Sequence, residues 1–242
     1  MKLEDAPVDI STVKKVRNRI KLVGIELEGG WNTLPRGIQL VQDTSVHVTA
    51  AHRGELPSPP MPIHMIDGWV KKYYPHVVDA SCGMHVHMSF DTALTYQRLM
   101  TPSYSTTIIT AMREWATKAG LAATHPLWAR LDGTSTYCQH KYYAEDQVKV
   151  TGKVFGADRP DAHRYTVINY CFGRFSSLEC RLLPMMTTAE QSIAAIMAII
   201  NTTNAFLVAS CIKHGKLLKE PKVKGSIDID LTAEIEHYTI QT

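Results

Sequence analysis

Three short segments each set two polar side chains of metal- or phosphate-binding type two residues apart: Glu26 and Glu28 within Lys21–Glu28, His85 and His87 within Cys82–Phe90, and Glu179 and Arg181 within Ser176–Leu183. Side chains alternate along a strand, so each pair shares one face. The opposite face then collects Val23, Ile25 and Leu27, Met84, Val86 and Met88, and Leu178, Cys180 and Leu182. The pattern predicts a sheet with one apolar face and one wet, charged face. Carboxylates crowded on such a face repel one another, and a divalent cation relieves that repulsion. Taken singly, each pair has a plainer reading as well. Glu26 with Glu28 reads as a solvated strand face, His85 with His87 as satisfied strand histidines, and Glu179 with Arg181 as an ion pair of small weight. Glu55, ahead of a proline turn, and Asp43, a turn former, stay open in the same way.

The elements that must position these residues are short and mixed. Ile38 to Gln42 and Ser45 to Thr49 predict a hairpin around Asp43-Thr44, and the segment from Arg53 to Met61 predicts a proline-rich stop. Ile63–Tyr74 and Ser105–Lys118 predict amphipathic helices, the second carrying Ile108, Ile109, Met112 and Trp115 at helical spacing and closed by Gly120. Leu131–Arg164 predicts a long loop over the site. Tyr165–Cys171 and Ser177–Leu183 predict a hairpin across Phe172–Phe175. Thr187 with Glu190 predicts a capping box opening a core helix that runs to about His214, with Gly215 as its stop.

Composition narrows the class. The 242 residues are 45% hydrophobic, enough for a full core, and predict one domain over 1–242 with 216–242 as a tail or oligomer contact. The 26 basic and 23 acidic residues leave a formal charge of +3 spread along the chain, which points to no nucleic-acid partner. Five widely spaced cysteines without zinc spacing predict reduced thiols and a cytoplasmic setting. The first residues show no basic-then-apolar leader, and the apolar run Ile193–Ile200 ends at Asn201–Asn204, so no membrane span is expected. Cys82 and Cys138 have no partner base in the sequence and read as ordinary thiols.

Taken in order, Gly24-Ile-Glu-Leu-Glu28, Asp43-Thr-Ser-Val46, Glu55-Leu-Pro-Ser-Pro59, Cys82-Gly-Met-His-Val-His87, Arg164-Tyr-Thr-Val-Ile-Asn169 and Leu178-Glu-Cys-Arg181 resemble the motif series of the amidoligase family. That family belongs to the carboxylate-amine ligase superfamily with glutamine synthetase and glutamate-cysteine ligase. The matches span about residues 20–205. Thr44 stands where the family often has glycine, and Cys180 where it has an aromatic residue.

The resemblance implies an α+β fold whose curved antiparallel sheet forms a half-open cavity with helices on its back, as in the glutamine synthetase catalytic domain. It implies an ATP-dependent ligase that joins a small-molecule or peptide carboxylate to an amine through an acyl phosphate, with Mg2+ or Mn2+. By the same resemblance Glu26, Glu28, Glu55, His85 and Glu179 are metal ligands, while His87, Arg164 and Arg181 meet nucleotide phosphates. Arg181 also stabilises the phosphoryl group in transfer, Asn169 and Ser58 orient substrate, and Asp43 takes a proton from the amine. A homo-oligomer is compatible with this picture. The rival expectations are a metal-dependent hydrolase built on His85, His87 and Glu26, and an inactive binding or scaffold protein that kept the fold.

Overall fold

Val23, Ile25 and Leu27 are fully buried, and they belong to one long strand, β2, over Ile20–Trp31. The structure, a computed structural model, describes residues 7–10, 16–17, 19–91, 95, 98–99, 101–140, 165–171, 176–213 and 228–229. β2 lies inside a five-stranded antiparallel sheet with β3 (His52–Pro57), β4 (Gly83–Phe90), β5 (Ile168–Cys171) and β6 (Ser177–Pro184), in the order β3-β2-β4-β6-β5. The alternation expected from sequence is met on the apolar face, where Met84, Val86, Met88, Leu178, Cys180 and Leu182 are all fully buried. With helices flanking this sheet the architecture is α+β.

The other face departs from expectation. It is charged but not wet: Glu28, His85, His87, Glu179 and Arg181 are all buried. Buried ionisable groups persist when they are paired with one another, and this face carries both signs of charge.

The hairpin expected over Ile38–Gln42 and Ser45–Thr49 does not form. Val46 and Val48 are buried while His47 and Thr49 are exposed, so the alternation is real, but it is met by an irregular segment. Within it Val41 pairs with Glu55 of β3, through Val41 N–H to the Glu55 carbonyl at 2.8 Å and Glu55 N–H to the Val41 carbonyl at 2.9 Å. The proline-rich stop is preceded by a genuine strand: β3 runs antiparallel to β2 with Glu28 opposite Glu55 and Gly30 opposite Arg53, and ends at Pro57. Gly54 sits at φ +149, and a side chain there would run into the Val41 carbonyl.

Ile63–Tyr74 splits into a 3-10 turn, Ile63–Met65, and helix α1, Ile66–Tyr73, with Pro75 just beyond. Helix α2 covers Pro102–Lys118, and its buried stripe is Tyr104, Thr107, Ile108, Met112 and Ala116, with Ile109 and Trp115 only partly covered. A short helix, α3 (Pro126–Leu131), precedes the predicted long loop and was not expected; residues 141–164 lie outside the described residues. β5 and β6 pair antiparallel as expected, with Asn169 opposite Glu179, and the turn 172–175 lies outside the described residues.

Helix α4 spans Ala189–Lys213. Its start is capped by Thr188, whose Oγ1 accepts from Gln191 N–H at 3.2 Å, while Thr187 Oγ1 donates to Gln191 Oε1 at 2.7 Å in place of the expected capping box. The helix does not break at Asn201–Asn204. These residues are buried within it, and Thr203 Oγ1 donates to the Ile199 carbonyl at 2.8 Å. Ala189–Ser210 is therefore long and apolar enough to cross a membrane, but 83% of that window is buried inside the molecule, as in a core helix. In the charged tail, Asp228–Ile229 (β7) pairs antiparallel with Val16–Arg17 (β1).

The chain divides into two compact units. One comprises Met1–Lys21, Phe90–Leu121 and Ile196–Thr242; the other comprises Leu22–Ser89 and Ala122–Ala195 and holds the charged face of the sheet. Within the first, Tyr104 Oη and Thr203 Oγ1 lie 2.8 Å apart and the Tyr104 ring packs against Phe206.

Gly54→Ala is expected to cost at least ~1–3 kcal/mol, because the backbone conformation alone is that unfavourable for a residue with a side chain. A urea melt checks it. The midpoint should fall with the slope unchanged, and an unchanged midpoint would mean β3 does not need that conformation.

Candidate functional site

Reading across the sheet, Glu55 stands on β3, Glu26 and Glu28 on β2, His85 and His87 on β4, Glu179 and Arg181 on β6, and Asn169 on β5. Neighbouring strands lie about 4.8 Å apart, so one residue per strand gives a continuous row of ligand-type side chains. His85 is the centre. Its Nδ1 is 2.9 Å from Glu26 Oε2 and 3.4 Å from Glu179 Oε1, and its Nε2 is 3.5 Å from Glu28 Oε1. Glu26, His85 and Glu179 form one group whose ligand atoms lie within 4.8 Å of one another, and Glu28, Glu55 and His85 form a second.

Local structure explains how these groups are aimed. β4 and β6 change register between Met84 and Val86: Met84 pairs with Leu183 but Val86 with Cys180, so Arg181 and Leu182 together face His85. Such a bulge turns a side chain out of simple alternation. The carbonyls of Arg181 and Leu183, on either side of Leu182, accept hydrogen bonds from Nη1 of the buried Arg130 at 3.0 Å each. Arg130 belongs to α3 and thereby fixes the bulge. Gly83, two residues before His85, donates its N–H to Glu28 Oε2 at 2.5 Å, and a Cβ there would lie 2.9 Å from that oxygen.

Each charged group has an identifiable balance. Burial pushes the Glu179 carboxyl up, but the Arg181 guanidinium, with Nη1 2.5 Å from Glu179 Oε1, and then His85 and His87, outweigh it and hold it at about 2. Asn169 Nδ2 donates to Glu179 Oε2 at 3.0 Å, and Cys171 Sγ to the same oxygen at 3.5 Å. Glu26 is likewise depressed well below the ordinary carboxylate range against the pull of burial, by hydrogen bonds from His85 and His87. Burial disfavours a charged His87, yet Glu26, 3.0 Å from its Nε2, raises its pKa, and its Nδ1 lies 2.9 Å from Ser177 Oγ. The affinity of Arg181 for its proton is raised against burial by Glu179 and then by Glu28 and Glu26, while its Nε has no hydrogen-bond partner among the described residues.

Glu55 is the opposite case. Burial first, then the charges of Glu26, Glu28, Asp43 and Glu179, push its carboxyl up to about 8. Such a carboxylate does not readily ionise beside its neighbours without a counter-charge. Glu28, Glu55 and His85, and Glu26, His85 and Glu179, are two groups that could hold a metal ion.

Other predicted residues have different surroundings. Ser58 Oγ accepts from Ile25 N–H at 2.8 Å and donates to the Pro59 carbonyl at 2.9 Å, so it latches β2 to the end of β3. Asn169 is fully buried, with Thr166 Oγ1 donating to its Oδ1 at 2.6 Å, and it steers Glu179. Asp43 Oδ1 accepts from both the N–H and the Oγ of Ser45 at 2.7 Å, the turn-forming geometry expected of it, and its charge also reaches Glu55. Arg164 lies outside the described residues. Cys82 and Cys138 are buried with thiols pushed up to about 11, and Cys180 to about 12, first by burial, which leaves them poor nucleophiles.

Three contributors escaped the sequence reading. Ser177 continues the Glu179–Arg181 alternation by one step and was legible there. Arg130 and Thr166 act through backbone carbonyls and a neighbouring amide, which leaves no spacing signal. Comparison with protein-family profiles, curated proteins and solved structures finds no match to this chain.

The pKa values set a pH dependence. With its carboxyl raised from 4.5 to about 8, folded Glu55 retains a proton that the unfolded chain has released, so stability falls as pH climbs through that window. Glu179, held at about 2, works the other way: its contribution is present above 4.5 and is lost as pH falls toward 2. Metal-free Glu55→Gln should therefore match wild type near pH 5 and melt a few degrees higher at pH 8, on a scale of ~2–4 °C per kcal/mol. Melting curves from pH 5 to 8.5 read this directly, and parallel profiles for the two proteins would remove Glu55 from the crowded cluster.

Proposed function

We propose that this protein is an ATP- and divalent-metal-dependent carboxylate-amine ligase of amidoligase type, with the cavity-forming sheet of the glutamine synthetase catalytic domain. The observation that carries the reading is the joint placement of two carboxylate–imidazole groups sharing His85 with a buried guanidinium, Arg181, beside them. The ordered motif resemblance, which runs through the same residues, agrees with it. A metal-dependent hydrolase can use the same two donor groups, and dependence of metal binding on ATP is what separates the two readings.

Glu28, Glu55 and His85 would hold one Mg2+ or Mn2+, with Glu26 and Glu179 serving the second group, and the ions would supply charge neutralisation for phosphate oxygens. In the reaction, an oxygen of the substrate carboxylate forms a bond to the γ-phosphorus of ATP as the bond to the ADP oxygen breaks. The amine nitrogen then forms the C–N bond while the acyl C–O bond breaks and phosphate leaves with the electron pair. The nitrogen loses a proton, and Asp43 is the carboxylate assigned to take it.

Arg181 serves the charge that builds on the phosphoryl oxygens, and its Nε is the donor available for that purpose. His87 is assigned to the nucleotide phosphates, with Glu26 and Ser177 fixing its ring. A cytoplasmic setting, where ATP and reduced thiols coexist, belongs to the same reading; the four described cysteines are free thiols.

Calorimetry with ATP should show saturable binding that requires Mg2+ or Mn2+, and Glu28→Gln should abolish the metal requirement together with the binding. Tight metal binding unaffected by ATP would overturn the ligase assignment in favour of a hydrolase. Once pools of carboxylates and amines identify a pair that releases ADP, Arg181→Lys should lower turnover by ~10²–10³-fold, the usual loss of a positioned transition-state donor. Near-normal turnover in that variant would remove Arg181 from the chemistry.

A further inference from the structure

Arg181 is held by charge through one of its nitrogens and by an aromatic ring against its carbon. Its Nη1 donates to Glu179 Oε1 and stands 3.3 Å from His85 Nδ1, while its Cζ lies over the Tyr165 ring, 6.0 Å from the centroid. The Tyr165 ring in turn meets that of Tyr137 edge-on, with centroids 6.4 Å apart and planes at 75°. Both separations fall within the reach of cation–π and aromatic-pair attraction. All three residues belong to the compact unit that carries the charged row. The backbone ties the two tyrosines to the strand they cover. The Tyr165 carbonyl accepts from Gln139 N–H at 2.6 Å, Val167 N–H donates to the Gln139 carbonyl at 3.2 Å, and Arg181 N–H donates to the Val167 carbonyl at 2.9 Å. Cys138 and Thr166, the immediate neighbours of the two tyrosines, are buried and anchor both segments, whereas Tyr137 and Tyr165 are half-buried.

We infer that Tyr165, braced by Tyr137, is the positioning residue of Arg181: its ring fixes the plane of the guanidinium and thereby the direction of Nε–H. An ion pair made through Nη1 alone leaves a planar group able to swing about that contact. A second carboxylate could stop the swing, but it would occupy the remaining N–H donors. A ring holds the cation through its quadrupole and takes no donor. Arg181 Nε accordingly has no hydrogen-bond partner among the described residues, although the residue is only 9% exposed. The consequence for turnover rests on the ligase reading, while the contact itself can be measured without ATP, metal or substrate.

The experiment is nitrogen-15 NMR of the full chain, free of ATP and metal, following the Arg181 Nε–H signal, which is assigned by its loss in Arg181→Lys. Wild type and Tyr165→Phe should show the signal at the same shift with the same slow exchange with water. Tyr165→Leu should move it and speed its exchange by about fivefold or more, the weight of a ring contact on a cation. Tyr137→Leu, which removes the brace and leaves the ring, should act in the same direction by less, and it carries the test if Tyr165→Leu does not fold. With a substrate pair in hand, Tyr165→Leu should lower kcat by about tenfold or more and leave KM little changed. Tyr165→Phe should restore kcat, and Tyr165→Leu should lose nothing further in an Arg181→Lys background. An unmoved signal in either leucine variant, equal effects of Phe and Leu at position 165, or a full kcat loss from Tyr165→Leu on top of Arg181→Lys would each overturn the inference. If the NMR results hold and no carboxylate–amine pair releases ADP, the ligase assignment falls and the positioning role stands; ADP release with an unmoved signal does the reverse.

Discussion

Everything on the charged face depends on keeping four carboxylates, Glu26, Glu28, Glu55 and Glu179, close to one imidazole without letting them drive the sheet apart. Like charges this near one another cannot all ionise in a buried place unless something offsets them. Three of the offsets are in the chain itself: Arg181 against Glu179, and His85 and His87 against Glu26. Glu55 has none of comparable strength, which is why its proton affinity moves in the opposite direction to that of Glu26 and Glu179. The unequal treatment of these carboxylates follows from where the cationic side chains of the row stand.

The scaffold serves that arrangement at each level. Fully buried aliphatic, methionine and cysteine side chains on the back of β2, β4 and β6 anchor the strands, so the front residues are held by a packed layer that does not adjust with them. The bulge in β6 and the Arg130 hydrogen bonds to the carbonyls around it set the direction of Arg181. Asn169, itself held by Thr166, sets that of Glu179. Gly83 leaves the space in which Glu28 reaches its backbone donor. These are positioning contacts, and each terminates on a residue of the central row.

Alternation made much of this legible in sequence. The pairs Glu26/Glu28, His85/His87 and Glu179/Arg181 and the apolar residues between them gave the faces of three strands, because a period of two is a local property that pairing does not change. What could not be read was set by contacts distant along the chain. Val46 and Val48 alternate as a strand would, yet the segment is held by the Val41 bridge to Glu55 and by His47 N–H donating to Ser81 Oγ, and no local pattern distinguishes a ladder from an extended stretch latched at separate points. The charged face was taken for a wet one because alternation reports sidedness and not depth. Asn201–Asn204 were read as the end of the apolar run and not of the helix, and the helix does continue through them, buried, with Thr203 hydrogen-bonded to Ile199. The hydrogen bonds of Ser58 to the backbone and of Asn169 to Glu179 likewise leave no spacing signal in the sequence.

Glu55 differs from its companions in where it hangs. β2, β4 and β6 each have a strand on both sides, but β3 is a border strand, attached by a full ladder to β2 and on its outer side, among the described residues, by the Val41 bridge, with Gly54 just before and Pro57 closing it. Glu26, Glu28, His85 and Glu179 therefore hang from strands braced on both sides, and Glu55 from one braced fully on one side alone. Under the metal role proposed above, ions of different radius would be accommodated at that margin while the imidazole and guanidinium in the middle of the sheet keep their places.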